Sequence, residues 1–133
     1  MDIGKLVDLY VISGYELADA VAKVSQDIIL LKISKSSLNH NVTIKGGVVM
    51  HSISKDKRRA TRDMDFDFIK YSLDDKSIIK FIEKLNKVGD GVEIKINGEI
   101  EKLHHQDYNG KRVYITLIDE KNYRVDSKLD WSP

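Results

Sequence analysis

The sequence predicts an α+β domain, mixed α/β in its arrangement, with N-terminal helices followed by a mixed, mostly antiparallel sheet. Three observations predict it. Apolar residues recur at helical spacing as far as Leu31, the period shortens to two around Asp63 to Phe68, and from Val92 onward β-prone runs alternate with turn dipeptides. A chain of 133 residues has the length of one ordinary domain, so a single unit is expected over 1–133, helical in 1–40 and sheet-forming in 41–132. With 41% hydrophobic and 32% charged residues the composition is that of a soluble globular protein, and a net charge of +1 leaves no global attraction to nucleic acid or an anionic membrane. The absence of cysteine excludes disulfides and thiolate metal sites. The start, "MDIGKLVDLYVISG", has an acid at its second position and no apolar run of signal or membrane-span length, so a cytoplasmic protein without a membrane partner is expected.

Each element has its own signal. Ile3, Leu6, Val7 and Tyr10 mark one amphipathic helix, and Leu17, Ala20, Val21, Val24, Ile28 and Leu31 a second. Ser13 and Glu16 have the spacing of a capping box, in which hydroxyl and carboxylate each satisfy a free amide at the second helix's start. The polar stretch "SKSSLNHN" should end that helix. Val42-Thr43-Ile44 is a short β-prone run stopped by Gly46-Gly47, and "VVMHSI" is expected as a short helix after it. Met64, Phe66 and Phe68 then alternate with Asp63, Asp65 and Asp67, which predicts a half-buried strand with an acidic face. Ser72 and Asp75 offer a capping pair for the helix carried by Ile78, Ile79, Ile82, Leu85 and Val88, with Gly89 as its left-handed cap. Asn97-Gly98 and Asn109-Gly110 read as hairpin turns beside "VEIKI" and "RVYITLI", and "DEKN" at 119–122 turns the chain into "YRVDSKLDW".

Three like charges on one strand face repel one another unless a cation neutralises them, so Asp63, Asp65 and Asp67 mark a candidate Mg²⁺ site. Hard divalent cations take carboxylate oxygen and leave coordination positions open for water and substrate phosphates. Gly46-Gly47 supplies the complement, because without side chains its amides can approach a phosphate closely. An EF-hand reading of "DMDFDF" fails, since that loop needs a glycine at its sixth place and small polar residues where this stretch has Met and Phe. In "YRVDSKLDW", period two sets Arg124, Asp126, Lys128 and Asp130 on one face and Val125, Leu129 and Trp131 on the other. The run "KDKRRATR" places Lys55, Lys57, Arg58, Arg59 and Arg62 beside the acidic strand, where they would neutralise a triphosphate or hold an RNA backbone. His104-His105 lacks the spacing and partners of a zinc site.

"IKGGVVM" followed by "RRATRDMDFDF" resembles the Lys-Gly-Gly and Arg-x-Ser/Thr-x-Asp-hydrophobic-Asp-Phe pattern of the AbiEii-type abortive-infection toxins, within the DNA polymerase β-like nucleotidyltransferase superfamily. The resemblance covers residues 15–132 and implies a nucleotidyltransferase-like fold. It implies that Lys45, Gly46, Gly47 and Arg62 bind the nucleotide and that Asp63 and Asp65 hold Mg²⁺ or Mn²⁺, with Asp67 auxiliary; Lys128, on the same strand face as Asp130, is either a further nucleotide-binding residue that holds a phosphate or a solvated lysine. The superfamily's third acid comes from a later strand; in a setting like "SKLDWS" it falls on Asp130, with Asp126 the second choice. Family members continue into a C-terminal helical lobe, whereas this sequence stops at "DWSP", so that lobe is expected to be absent.

The function so implied is metal-dependent transfer of NMP from an NTP to an acceptor hydroxyl, with RNA and especially tRNA as acceptor and an antitoxin protein as partner. The alternative is a catalytically weak, nucleotidyltransferase-like module that binds a nucleotide or a partner protein.

Overall fold

The computed structural model describes residues 1–36, 42–44, 64–68, 74–104 and 109–132. Among them are helices α1 (Ile3–Ile12), α2 (Leu17–Lys35) and α3 (Asp75–Asn86), and strands β1 (Val42–Ile44), β2 (Met64–Phe68), β3 (Glu93–His104), β4 (Asn109–Ile118) and β5 (Arg124–Ser132). The strands form one five-stranded sheet in the order β1-β2-β5-β4-β3. β2 and β5 are parallel and the other pairs antiparallel, so the mixed, mostly antiparallel α+β arrangement expected from the sequence is what the chain adopts.

The core lies between one face of this sheet and the helices. Alternation along β4 and β5 buries Val113, Ile115, Leu117, Val125, Leu129 and Trp131, while α3 contributes Ile78, Phe81, Ile82 and Leu85 and α2 contributes Val24, Ile28 and Ile29. Phe81 meets Trp131 edge to face at a centroid distance of 4.8 Å, a geometry favoured by the ring quadrupoles. Both β5 neighbours of Asp130 are thereby anchored in the core, which fixes the register of that strand.

Polar anchors hold the layers together. Lys32 is fully buried on α2; its ammonium donates to Asp90 Oδ1 at 2.7 Å and to the Val92 carbonyl at 2.8 Å, tying α2 to the connection between α3 and β3. The Asp119 carboxylate, in the turn between β4 and β5, accepts from the amides of Ile3, Lys121 and Tyr123 at 2.8, 2.9 and 2.9 Å. Burial pushes its pKa up, but the amide bonds outweigh that and hold the carboxyl below its ordinary 3.8.

Five local readings of the sequence are corrected. Ser13 does not cap α2: with Gly14 at φ 113°, Tyr15 N–H donates to Tyr10 O and Gly14 N–H to Val11 O, a Schellman stop that makes Ser13 the C-cap of α1. α2 starts at Glu16 without a side-chain cap. The cap of α3 is Asp74, whose carboxylate accepts from Ser77 N–H at 2.7 Å; Ser72 lies outside the described residues. The helix ends at Asn86, and Gly91 (φ 80°), not Gly89, takes the left-handed conformation downstream. Asn97-Gly98 makes no hairpin: β3 runs through it, with Gly98 at φ 68° and an irregularity in register between Asn97 and Glu101, as a β-bulge requires. Asn109-Gly110 belongs to β4, paired with His104 and Leu103. The turn at 119–122 and the short strand at Val42–Ile44 form as expected, with Asn122 at φ 63°. "VVMHSI" lies outside the described residues.

Candidate active site

β5 is the strand on which the site is built. Its inward residues are committed to the core, which leaves Asp126, Lys128 and Asp130 on the opposite face. β2 lies beside β5 in parallel, with Met64 opposite Leu129, Asp65 opposite Asp130, Phe66 opposite Trp131 and Asp67 opposite Ser132. Asp65 and Asp130, far apart in sequence, thus share one register position on neighbouring strands, roughly 5 Å apart across the ladder. On the other side of β2, Thr43 pairs with Asp67 and Ile44 with Phe66, so the segment leading to Lys45 flanks the acidic strand. Lys45, Gly46, Gly47, Arg62 and Asp63 themselves lie outside the described residues.

Asp130 is not alone on its face. Arg112, its antiparallel partner on β4, donates from Nε to Oδ1 at 2.7 Å and from the terminal guanidinium nitrogen to Oδ2 at 2.9 Å. This two-bond fork is the strong geometry for a guanidinium and a carboxylate. The charge-assisted bonds to Asp130 drive the Arg112 pKa above its usual value. Arg112 was not among the residues the sequence singled out. The alternation of Arg112, Tyr114 and Thr116 with Val113, Ile115 and Leu117 does place it on the polar face, but its pairing with Asp130 depends on the register of the hairpin.

Asp126, two residues before Lys128, is bound differently. It accepts from the Thr116 hydroxyl at 2.7 Å, and Thr116 in turn accepts from the Asn97 side-chain amide, so a polar row crosses β3, β4 and β5. Lys128 pairs in register with Tyr114. Lys128, Asp126, Ser127 and Tyr114 line a cleft of about 350 Å³ whose other wall is Ala18, Val21 and Ala22 of α2. A slightly larger, apolar cleft of about 380 Å³ lies between α1 and α2, lined by residues such as Leu6, Leu9 and Leu31 and by none of the candidate site residues. In its wall the Tyr10 hydroxyl donates to the Asp27 carboxylate, and burial with that acceptor pushes the phenol above its ordinary pKa.

Oxygen donors at Asp65 and Asp130 fit a hard divalent cation in kind, and the Arg112 guanidinium shows that the Asp130 carboxylate already accommodates positive charge. Among the described residues no three His, Asp or Glu side chains cluster as a metal-binding group, and no helix is long and apolar enough to cross a membrane.

Comparison with known families agrees with the motifs. No curated protein matches the chain. The family model described as "Nucleotidyl transferase AbiEii toxin, Type IV TA system" matches residues 28–132, well over half of the sequence, starting within α2 and spanning every strand of the sheet. With all five strands of the sheet inside that match, the chain belongs to the AbiEii family of nucleotidyl transferase toxins of type IV toxin–antitoxin systems.

Proposed function

We propose that the chain transfers a nucleoside monophosphate from an NTP to the hydroxyl of an RNA acceptor, tRNA in particular, in a reaction that depends on Mg²⁺ or Mn²⁺. The observation that carries this reading is the shared register position of Asp65 and Asp130 on adjacent strands, the juxtaposition a two-strand carboxylate site needs. Asp63, Asp65 and Asp130 would hold the cations, which when bound lower the charge on the triphosphate and on the departing pyrophosphate. The acceptor oxygen forms a bond to the α-phosphorus, the bond from that phosphorus to the bridging oxygen breaks, and pyrophosphate leaves. Asp130 takes the acceptor hydroxyl's proton. Lys45, Arg62 and Lys128 counter phosphate charge, Gly46 and Gly47 admit the triphosphate, and Asp67 and Asp126 are auxiliary. The cleft beside Lys128 is of a size to receive the nucleoside. Most of the rate would come from positioning and charge neutralisation, as in phosphoryl transfer generally. As a member of a toxin family, the protein would be countered by an antitoxin.

The test is incubation with each labelled NTP, Mg²⁺ or Mn²⁺ and total tRNA. Label should reach RNA with the wild type and not with Asp63→Asn or Asp65→Asn of unchanged melting temperature. Transfer at the wild-type rate in either variant would refute the assignment. The neutralisation of Asp130 by Arg112 favours a second reading, a module that binds NTP without turnover. Release of pyrophosphate would eliminate it.

A further inference from the structure

Arg112 occupies a position between two carboxylates. The ladder sets it opposite Asp130 on β5 and opposite Glu101 on β3, all three at one register position across the sheet. In the structure its guanidinium is committed to Asp130 through both forks, while Glu101 is exposed and accepts from the Tyr114 hydroxyl at 3.2 Å. We infer that Arg112 is a positioning residue that holds Asp130 as a stand-in cation until a divalent metal ion binds, and that it then transfers its fork to Glu101. The inference rests on the proposed role of Asp130 as a metal ligand.

Arg112 and a divalent cation compete for the same two oxygens. Both carboxylate oxygens of Asp130 are engaged by one positive charge, so a divalent cation arriving at the same oxygens meets like charge within a few ångströms and must displace at least one charge-assisted bond. Displacement is feasible because the pair is only partly buried, with side-chain exposures of 26% for Arg112 and 17% for Asp130. It does not strand the guanidinium, because Glu101 lies opposite it on β3 and, among the described residues, accepts a long bond from the neutral Tyr114 hydroxyl. The bulge between Asn97 and Glu101 brings Glu101 into register with Arg112. Between metal-binding events the same fork keeps Asp130 in one orientation.

The test is binding of Mn²⁺ alone to the full chain, read by the loss of the free-ion paramagnetic resonance signal, in the wild type, Asp130→Asn, Arg112→Met, Arg112→Lys and Glu101→Gln. Removing one charge-assisted fork should tighten Mn²⁺ binding by about tenfold in Arg112→Met and by a smaller factor in Arg112→Lys, which keeps the charge but not the bidentate geometry. Glu101→Gln should weaken binding severalfold, since the displaced guanidinium loses its second carboxylate. A role for Arg112 in fold stability alone would move the melting temperature and leave Mn²⁺ affinity unchanged. If Asp130→Asn weakens binding while Arg112→Met binds no tighter than wild type, the exchange is refuted and the metal-ligand role of Asp130 survives. If Asp130→Asn binds as well as wild type, both fall. Should Arg112→Met fail to fold, Arg112→Lys decides: affinity equal to or below wild type overturns the inference.

Discussion

Two ion pairs of the same length lie in different surroundings in this molecule. Lys32–Asp90 and Arg112–Asp130 both have nitrogen–oxygen contacts of 2.7 Å. The first is closed to solvent, with side-chain exposures of 0% and 4%, and its ammonium also bonds a backbone carbonyl; the second, at 26% and 17%, sits on the polar sheet face beside the acidic strand. A pair sealed in the core can only hold the fold, because neither charge can leave without stranding the other in a medium that solvates it poorly. A partly exposed pair can exchange partners. Location, and not bond length, decides which charged contact is able to exchange partners.

The comparison can be broken first at its strongest point. Lys32→Ala strands the Asp90 carboxylate and should cost about 3–5 kcal/mol, read as a large fall in the midpoint of denaturant unfolding. If the loss is under about 1 kcal/mol, the sealed pair is not the anchor described, because that is the range of exposed pairs. Asp119→Asn comes next: an amide nitrogen would face the Ile3 or turn amides, donor against donor, for a loss of about 2 kcal/mol. The same carboxyl gives a pH signature. Its folded pKa lies below 3.8, so its contribution is fully present above that value and disappears as the pH falls through the lower folded value. Acid titration of stability should therefore be shallower in Asp119→Asn than in wild type below pH 3.8. Arg112→Met should cost only about 1 kcal/mol, and added salt should narrow its gap to wild type while leaving that of Lys32→Ala intact. Smallest is the exposed Lys111–Asp75 contact, where Asp75→Asn should change stability by no more than about 0.5 kcal/mol.

Much of this was legible in the sequence. The strands Met64–Phe68 and Arg124–Ser132 are written in their alternation, which also sets Asp126 and Asp130 on the face of β5 opposite the buried Val125, Leu129 and Trp131. What was hidden depends on distant partners or on a choice between two local solutions. Asn97-Gly98 suits a tight hairpin and a bulge equally, because both need a positive φ; Ile96 and Ile100, which pack against the core from either side, decide for the bulge. Ser13 reads as a cap until Gly14 is recognised as the stop of the helix before it. The pairing of Arg112 with Asp130 and Glu101 needs the registers of two strand pairs, which no local pattern contains.

If the sheet brings Asp65 and Asp130 together as one working unit, a double-mutant cycle on nucleotide transfer will reveal it. Label transfer from NTP to tRNA would be compared in wild type, Asp65→Asn, Asp130→Asn and the double variant, each with an unchanged melting curve. Residues acting as a unit give losses that do not add, so each single change should cost about a hundredfold or more in rate and the double should be hardly worse than either. Wild-type transfer in Asp130→Asn, or losses that multiply in the double variant, would contradict a shared site.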